Sequence, residues 1–126
     1  GSEGSTFGGY PLASVVGIYA IKALLEQNLA DNALIRGKQL MDGLNIIKND
    51  FPDKIKEVRG KGLLTAFEMF DEPNLDGHHI SVELLNQGIY AKETHHTTIR
   101  LAPALTINEL QVNNLLEGVR KVVKEL

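Results

Sequence analysis

The 126-residue sequence contains no cysteine, which excludes a disulfide framework, a thiolate metal site and a cysteine nucleophile, and suits a cytoplasmic protein. Charge of one sign is also scarce. Lys and Arg number 13 against 16 Asp and Glu, for a net charge of −3, so there is no broad cationic surface for nucleic acid or an anionic membrane. No apolar run reaches the ~20 residues that a membrane-spanning helix needs. With 43% hydrophobic residues the chain has enough apolar material for one ordinary domain with a core. No internal repeat, low-complexity tract or linker divides it.

Glycine, by contrast, is concentrated at one end. Glu3-Gly4-Ser5-Thr6-Phe7-Gly8-Gly9-Tyr10-Pro11 is a glycine-rich loop with two hydroxyls, and Pro11 fits the first turn of the helix pattern that follows. Backbone N–H groups and hydroxyls in such a loop suit a phosphate, although a turn that caps the helix is the commoner use of the same residues. Gly1-Ser2 has the composition of a tag remnant and carries no structural meaning.

From Leu12 to about Asn28 the apolar positions Leu12, Val15, Val16, Ile18, Tyr19, Ile21, Leu24 and Leu25 wrap most of a helix, which predicts that it is largely buried. Asn28 with Asp31 reads as the start of a second helix, whose stripe is Ala33, Gly37, Leu40, Leu44 and Ile47 and whose end is Phe51-Pro52-Asp53. Ile55 to Arg59 and Leu63 to Phe70 read as strands separated by Gly60-Lys61-Gly62. In the second, Leu63, Thr65, Phe67 and Met69 form the more apolar face.

After the polar loop Asp71 to Gly77 comes a short helix with Ile80, Leu84 and Leu85 inward, stopped by Gly88. Two short strands, Ile89 to Lys92 and Thr97 to Ala102, flank a histidine-bearing turn. The last helix runs to Leu126, and Thr106 with Glu109 has the spacing of its capping box. The order predicts an α+β fold: a small, mainly antiparallel sheet of about four strands covered by helices, with a long N-terminal helix.

Arg100 lies inside an apolar strand, Ile99-Arg100-Leu101-Ala102, where burial demands an anion. Its planar fork suits a carboxylate, and a salt bridge with Glu57 or Glu68 is the plainer reading of the residues alone. Lys61, between two glycines in a turn, reads as a surface lysine and not as a Schiff-base former. His78-His79 and His95-His96 read as solvated loop residues, because neighbouring side chains diverge and no cysteine or carboxylate cluster completes a metal set.

Three segments together resemble a known family. Gly4-Ser5-Thr6-Phe7-Gly8-Gly9 with Pro11-Leu12-Ala13, then Val58-Arg59-Gly60-Lys61-Gly62-Leu63-Leu64, then Lys92-Glu93-Thr94-His95 with Ile99-Arg100-Leu101-Ala102-Pro103, are similar in sequence and order to the C-terminal part of the class III, pyridoxal-phosphate-dependent aminotransferases, and within them to the ornithine-type branch. Tyr10 replaces the usual Asn, Glu3 a frequent His, and Ala104 a second proline.

The resemblance implies a cofactor-phosphate loop over residues 1–11 and a fold type I small domain over residues 12–126. It implies that Ser5 and Thr6 contact the phosphate of pyridoxal phosphate in the other subunit of a homodimer, and that Arg100 binds a substrate carboxylate. The intact enzyme would transfer the δ-amino group of ornithine to 2-oxoglutarate, with the cofactor lysine upstream of this chain, so that the chain alone is inactive. The alternatives are another ω-amino-acid aminotransferase of the same class, a freestanding amino-acid-binding module that uses Arg100, or a dimerisation module that pairs through its first helix.

Overall fold

The computed structural model describes residues 12–126, and of residues 12–16 the backbone alone. One continuous helix, α1 (Leu12–Asp50), occupies the first third of the described chain. The two-helix expectation is therefore corrected. Neither glycine nor proline stands between Ala20 and Arg36 to interrupt the ladder. The polar residues read as a cap are spent elsewhere: Gln27 Nε2 donates to Asp31 Oδ1 at 2.9 Å along the helix surface. Asn32 Nδ2 donates to the carbonyls of Leu105 and Ile107, at 2.8 and 2.9 Å, and so ties the middle of α1 to a distant loop.

The burial expected for Leu12 to Asn28 is overturned among the described side chains, whereas the stripe expected further along is found. Gly37, Leu40, Leu44 and Ile47 are buried at the spacing of a single helix face, the stripe expected from the sequence. Ile18, Ile21, Leu24 and Leu25 instead lie open to solvent, Leu24 with 64% of its surface accessible. Their apolar character has no partner among the described residues. Phe51 follows at the end of α1, with the Lys54 ammonium and the Arg120 guanidinium 5.6 and 5.9 Å from its ring centroid.

The sheet contains β1 (Ile55–Lys61), β2 (Leu64–Met69), β3 (Ala91–Thr94) and β4 (Thr98–Leu101), with α2 (Gly77–Asn86) between β2 and β3 and α3 (Glu109–Lys124) last. Its order is β1-β2-β4-β3 and every neighbouring pair is antiparallel. The expected α+β architecture is what forms. Lys61 pairs with Leu64, so Gly62 and Leu63 make a two-residue turn, and Gly62 at φ +56 supplies the positive angle that such a hairpin requires at its first position. Leu63 leaves the strand for that turn but stays buried.

One face of the sheet forms the core. Thr65, Phe67 and Met69 of β2, with Ile99 and Leu101 of β4, point into a layer made by Leu40, Leu44 and Ile47 of α1, Ile80 and Leu84 of α2, and Val112, Leu115, Val119, Val122 and Val123 of α3. Each fully buried Leu, Ile, Val or Phe contributes roughly 1.5–3 kcal/mol, so this layer holds the helices on one side. The other face is left open. Leu85, expected inward, is exposed, because α2 reaches the core through Ile80 and Leu84 alone.

The caps show how local chemistry sets the ends. Asp76 caps α2 by accepting from the backbone N–H groups of His78 and His79. At α3 the cap is Asn108: its side chain accepts from Gln111 N–H at 2.8 Å, and Gln111 Oε1 accepts from Asn108 N–H at 3.0 Å. This corrects the Thr106–Glu109 box by two residues. The i, i+3 rule is obeyed, but by the pair two residues further on, because Ile107 is buried and pins the chain just before the helix.

Candidate active-site face

The open face of the sheet takes every second residue of each strand, and the pairing registers decide which side chains meet there. Arg59 of β1 is paired with Ala66 of β2, Ala66 with Arg100 of β4, and Arg100 with Lys92 of β3. Directly opposed residues in an antiparallel sheet project from the same face, with Cβ atoms about 4.5–5.5 Å apart. One rung therefore carries three cations with a single alanine between the first two. Around it lies a hollow of about 580 Å³ whose floor and walls include Leu64, Ala66, Tyr90 and Ala102, with Lys61 at its margin.

The cations are not equivalent. Arg59 Nη1 lies 3.1 Å from Glu68 Oε1 and 3.4 Å from Glu57 Oε2, and Lys56 Nζ lies 3.8 Å from Glu68 Oε2. The two carboxylates of this face are thus taken by β1. Among the described residues, Arg100 and Lys92 have no side-chain hydrogen bond or ion pair. The salt bridge expected between Arg100 and Glu57 or Glu68 does not form. Arg100 stands exposed on the face opposite Ile99 and Leu101, which are buried in the core. Alternation along β4 explains this, since the apolar residues on either side take the core positions and the arginine the other side.

Ser5 and Thr6 lie outside the described residues. Lys61 is exposed at the end of β1, as expected of a surface lysine. His78, His79, His95 and His96 are exposed, and no group of three or more metal-ligating side chains occurs among the described residues. His96 Nε2 lies 3.7 Å from Asp71 Oδ1, a loose contact between two exposed side chains.

Lys92 and Tyr90 received no role from the sequence. The signal for Lys92 was available: a hairpin with the turn His95-His96-Thr97 pairs the residue eight before Arg100 with Arg100 itself. The turn geometry, with φ of +54 and +68 at His95 and His96, fixes that register. Among the described residues no helix is long and apolar enough to cross a membrane.

A fold of this kind is shared by a family of enzymes. The chain belongs to the class III aminotransferases: the family model described as Aminotransferase class-III matches residues 1–123. It is 38% identical over 126 residues to mitochondrial ornithine aminotransferase of Arabidopsis thaliana, covering 98% of this chain and 26% of the relative. To acetylornithine aminotransferase of Synechocystis it is 34% identical, covering all of this chain and 29% of the relative.

Among solved structures, acetylornithine aminotransferase from Elizabethkingia anophelis superposes with a TM-score of 0.74 at 35% identity, covering 100% of this chain and 33% of that one. Ornithine aminotransferase from Toxoplasma gondii ME49 gives 0.72 at 34% identity, covering 99% and 30%. The chain thus spans about a quarter to a third of the length of the aminotransferases it matches.

Proposed function

We propose that this chain is the C-terminal domain of an ornithine-type aminotransferase, with residues 1–11 forming a cofactor-phosphate loop and residues 12–126 the small domain. The observation that carries the reading is Arg100: a guanidinium on an open, partly apolar sheet face, with no ion-pair partner among the described residues. Such a group is poised for a carboxylate that comes from outside the chain, and a planar fork binds it through two parallel hydrogen bonds. Relatives named as ornithine aminotransferases at 38–41% identity support the ornithine-type assignment.

The donor set fits the carboxylate end of amino-group transfer. Arg100 would hold and orient an amino acid and then a 2-oxo acid, while Ala66, Leu64 and Ala102 would flank the aliphatic chain beside it. Pyridoxal phosphate, bound to the intact enzyme, supplies the electron sink for the transfer. Ser5 and Thr6 would contact its phosphate from across a homodimer, and a lysine elsewhere in the enzyme would hold the cofactor. The unmatched apolar side of α1, with Ile18, Ile21, Leu24 and Leu25, would dock against the remainder of the enzyme and its second subunit.

In the full-length enzyme Arg100→Ala should raise KM for the amino donor roughly 10- to 100-fold, the loss of charge-assisted hydrogen bonds of about 1.5–3 kcal/mol. Unchanged KM for every carboxylate substrate would remove the central support. Ornithine-dependent turnover by the 126-residue chain alone would contradict the assignment of the cofactor lysine to another segment. A second reading, an acetylornithine-type enzyme, is favoured by the Elizabethkingia and Synechocystis likenesses. Comparing kcat/KM for ornithine and acetylornithine separates the two.

A further inference from the structure

We infer that Tyr90 is the end wall of the Arg100 hollow and sets the length of the aliphatic chain that a ligand held by Arg100 can carry. This rests on the reading of Arg100 as a carboxylate-binding residue. Two hollows meet at Tyr90. The one over the sheet, of about 580 Å³, contains Arg100, and a second, of about 410 Å³, opens beside the start of α3. Tyr90 and Ala102 are the two residues that line both. Ala102 is too short to divide them, so the phenol ring is the partition.

The direction of a bound chain follows from the residues on either side of the Arg100 rung. Ala66 is paired with Arg100, and Glu68 and Leu64 stand two residues to either side of Ala66 on the same face of β2. Towards Glu68 the surface is polar and occupied, because Arg59 and Lys56 hold that carboxylate. The other way leads over Leu64 and Ala102 to Tyr90, which stands just before β3. Alkyl carbons belong on this second path, where they cover apolar surface. Ala102 lies two residues beyond Arg100, a distance of about 7 Å along a strand, so a short aliphatic chain reaches the ring.

Beyond Tyr90 the surroundings change. None of the described residues that line the second hollow carries a charge: its polar groups are those of Gln87, Thr106, Gln111 and Asn114, beside Ile107 and Leu115. A chain that passed the ring would meet apolar surface there, so the limit comes from the volume of the ring and not from hostile chemistry past it. Tyr90 is 72% accessible and makes no hydrogen bond or ion pair among the described residues, which assigns the role to its bulk and leaves none for its hydroxyl. An exposed tyrosine also suits a docking contact with another segment of the enzyme, and that role alone would leave the preferred ligand length unchanged.

The test measures the straight-chain carboxylates from butanoate to nonanoate as competitive inhibitors of the full-length cofactor-loaded enzyme. In the parent, Ki should fall about fourfold with each buried methylene and stop falling at the length that meets the ring. Tyr90→Ala, which leaves the core untouched, should move that stopping point to longer chains and bind nonanoate about tenfold or more tightly than the parent does, the gain of roughly two further buried methylenes. Tyr90→Phe should keep the parental stopping point. A stopping point unchanged in Tyr90→Ala, or absent from the parent, with Arg100→Ala still weakening the whole series, overturns the role of Tyr90 and leaves the Arg100 reading standing. If Arg100→Ala weakens none of these inhibitors, both readings fall.

Discussion

Gly37 of α1 lies directly against the backbone of Gly62, the turn residue between β1 and β2. A Cβ built on Gly37 would overlap the carbonyl group of Gly62 and approach its Cα to 2.9 Å. Helix and hairpin touch there backbone to backbone, and this contact fixes how close α1 sits to the sheet. Gly37→Ala should therefore destabilise, although alanine is the better helix former by about 1 kcal/mol. The overlapping atoms are main chain and cannot rotate away, so a net loss of roughly 1–3 kcal/mol is expected. Urea unfolding of the chain reads it, and a midpoint at or above that of the parent would show that the helix can shift freely.

The start of α3 offers a prediction that separates two neighbouring hydroxyl and amide caps. Asn108→Ala removes the acceptor for Gln111 N–H and should cost about 1 kcal/mol. Thr106→Ala, at a residue that makes no capping bond, should stay within about 0.5 kcal/mol. Parallel thermal melts of the two variants decide it. Equal losses would mean that the cap is shared.

Thr65 carries the one buried side-chain polar atom without a hydrogen-bond partner among the described residues. It sits on the core face of β2, where valine has the same shape and needs no partner. Thr65→Val should raise stability by about 1 kcal/mol, because an unsatisfied buried hydroxyl carries a desolvation cost of that order or more. A fall in unfolding midpoint would point to a polar partner for this hydroxyl in the intact enzyme.

Much of the fold was legible because burial follows simple periods. The stripe Gly37, Leu40, Leu44, Ile47 and the alternation Thr65, Phe67, Met69 are read directly from spacing, and both are buried as expected. What spacing does not reveal is which partner a face has. Ile18 to Leu25 carries the composition of a buried helix, yet nothing in the described chain covers it. Composition records that a surface is meant to be hidden, and the hiding body can be another segment. Asn28 and Asp31 misled for a related reason: they are good capping residues, but a helix continues through them when no glycine or proline stops it.

The candidate site was legible as residue types and not as geometry. Arg100 stood out as a charge within an apolar strand. Its neighbours on the face depend on registers set by the Gly62 and His95-His96 turns, which bring Arg59, Ala66 and Lys92 onto its rung. The cross-strand partners of Arg100, Lys92 and Ala66, are eight and thirty-four positions away along the chain, a distance at which local pattern carries no information. Ser5 and Thr6 lie outside the described residues.

The 39 residues of α1, at 1.5 Å each, make a rod about 58 Å long, of which only the second half touches the sheet layer. No proline interrupts it. A rod without a joint transmits rotation: any body that grips its first turns also steers the sheet, the Arg100 rung included. The angle at which the cations of the open face meet such a body is then set from some tens of ångströms away along the rod.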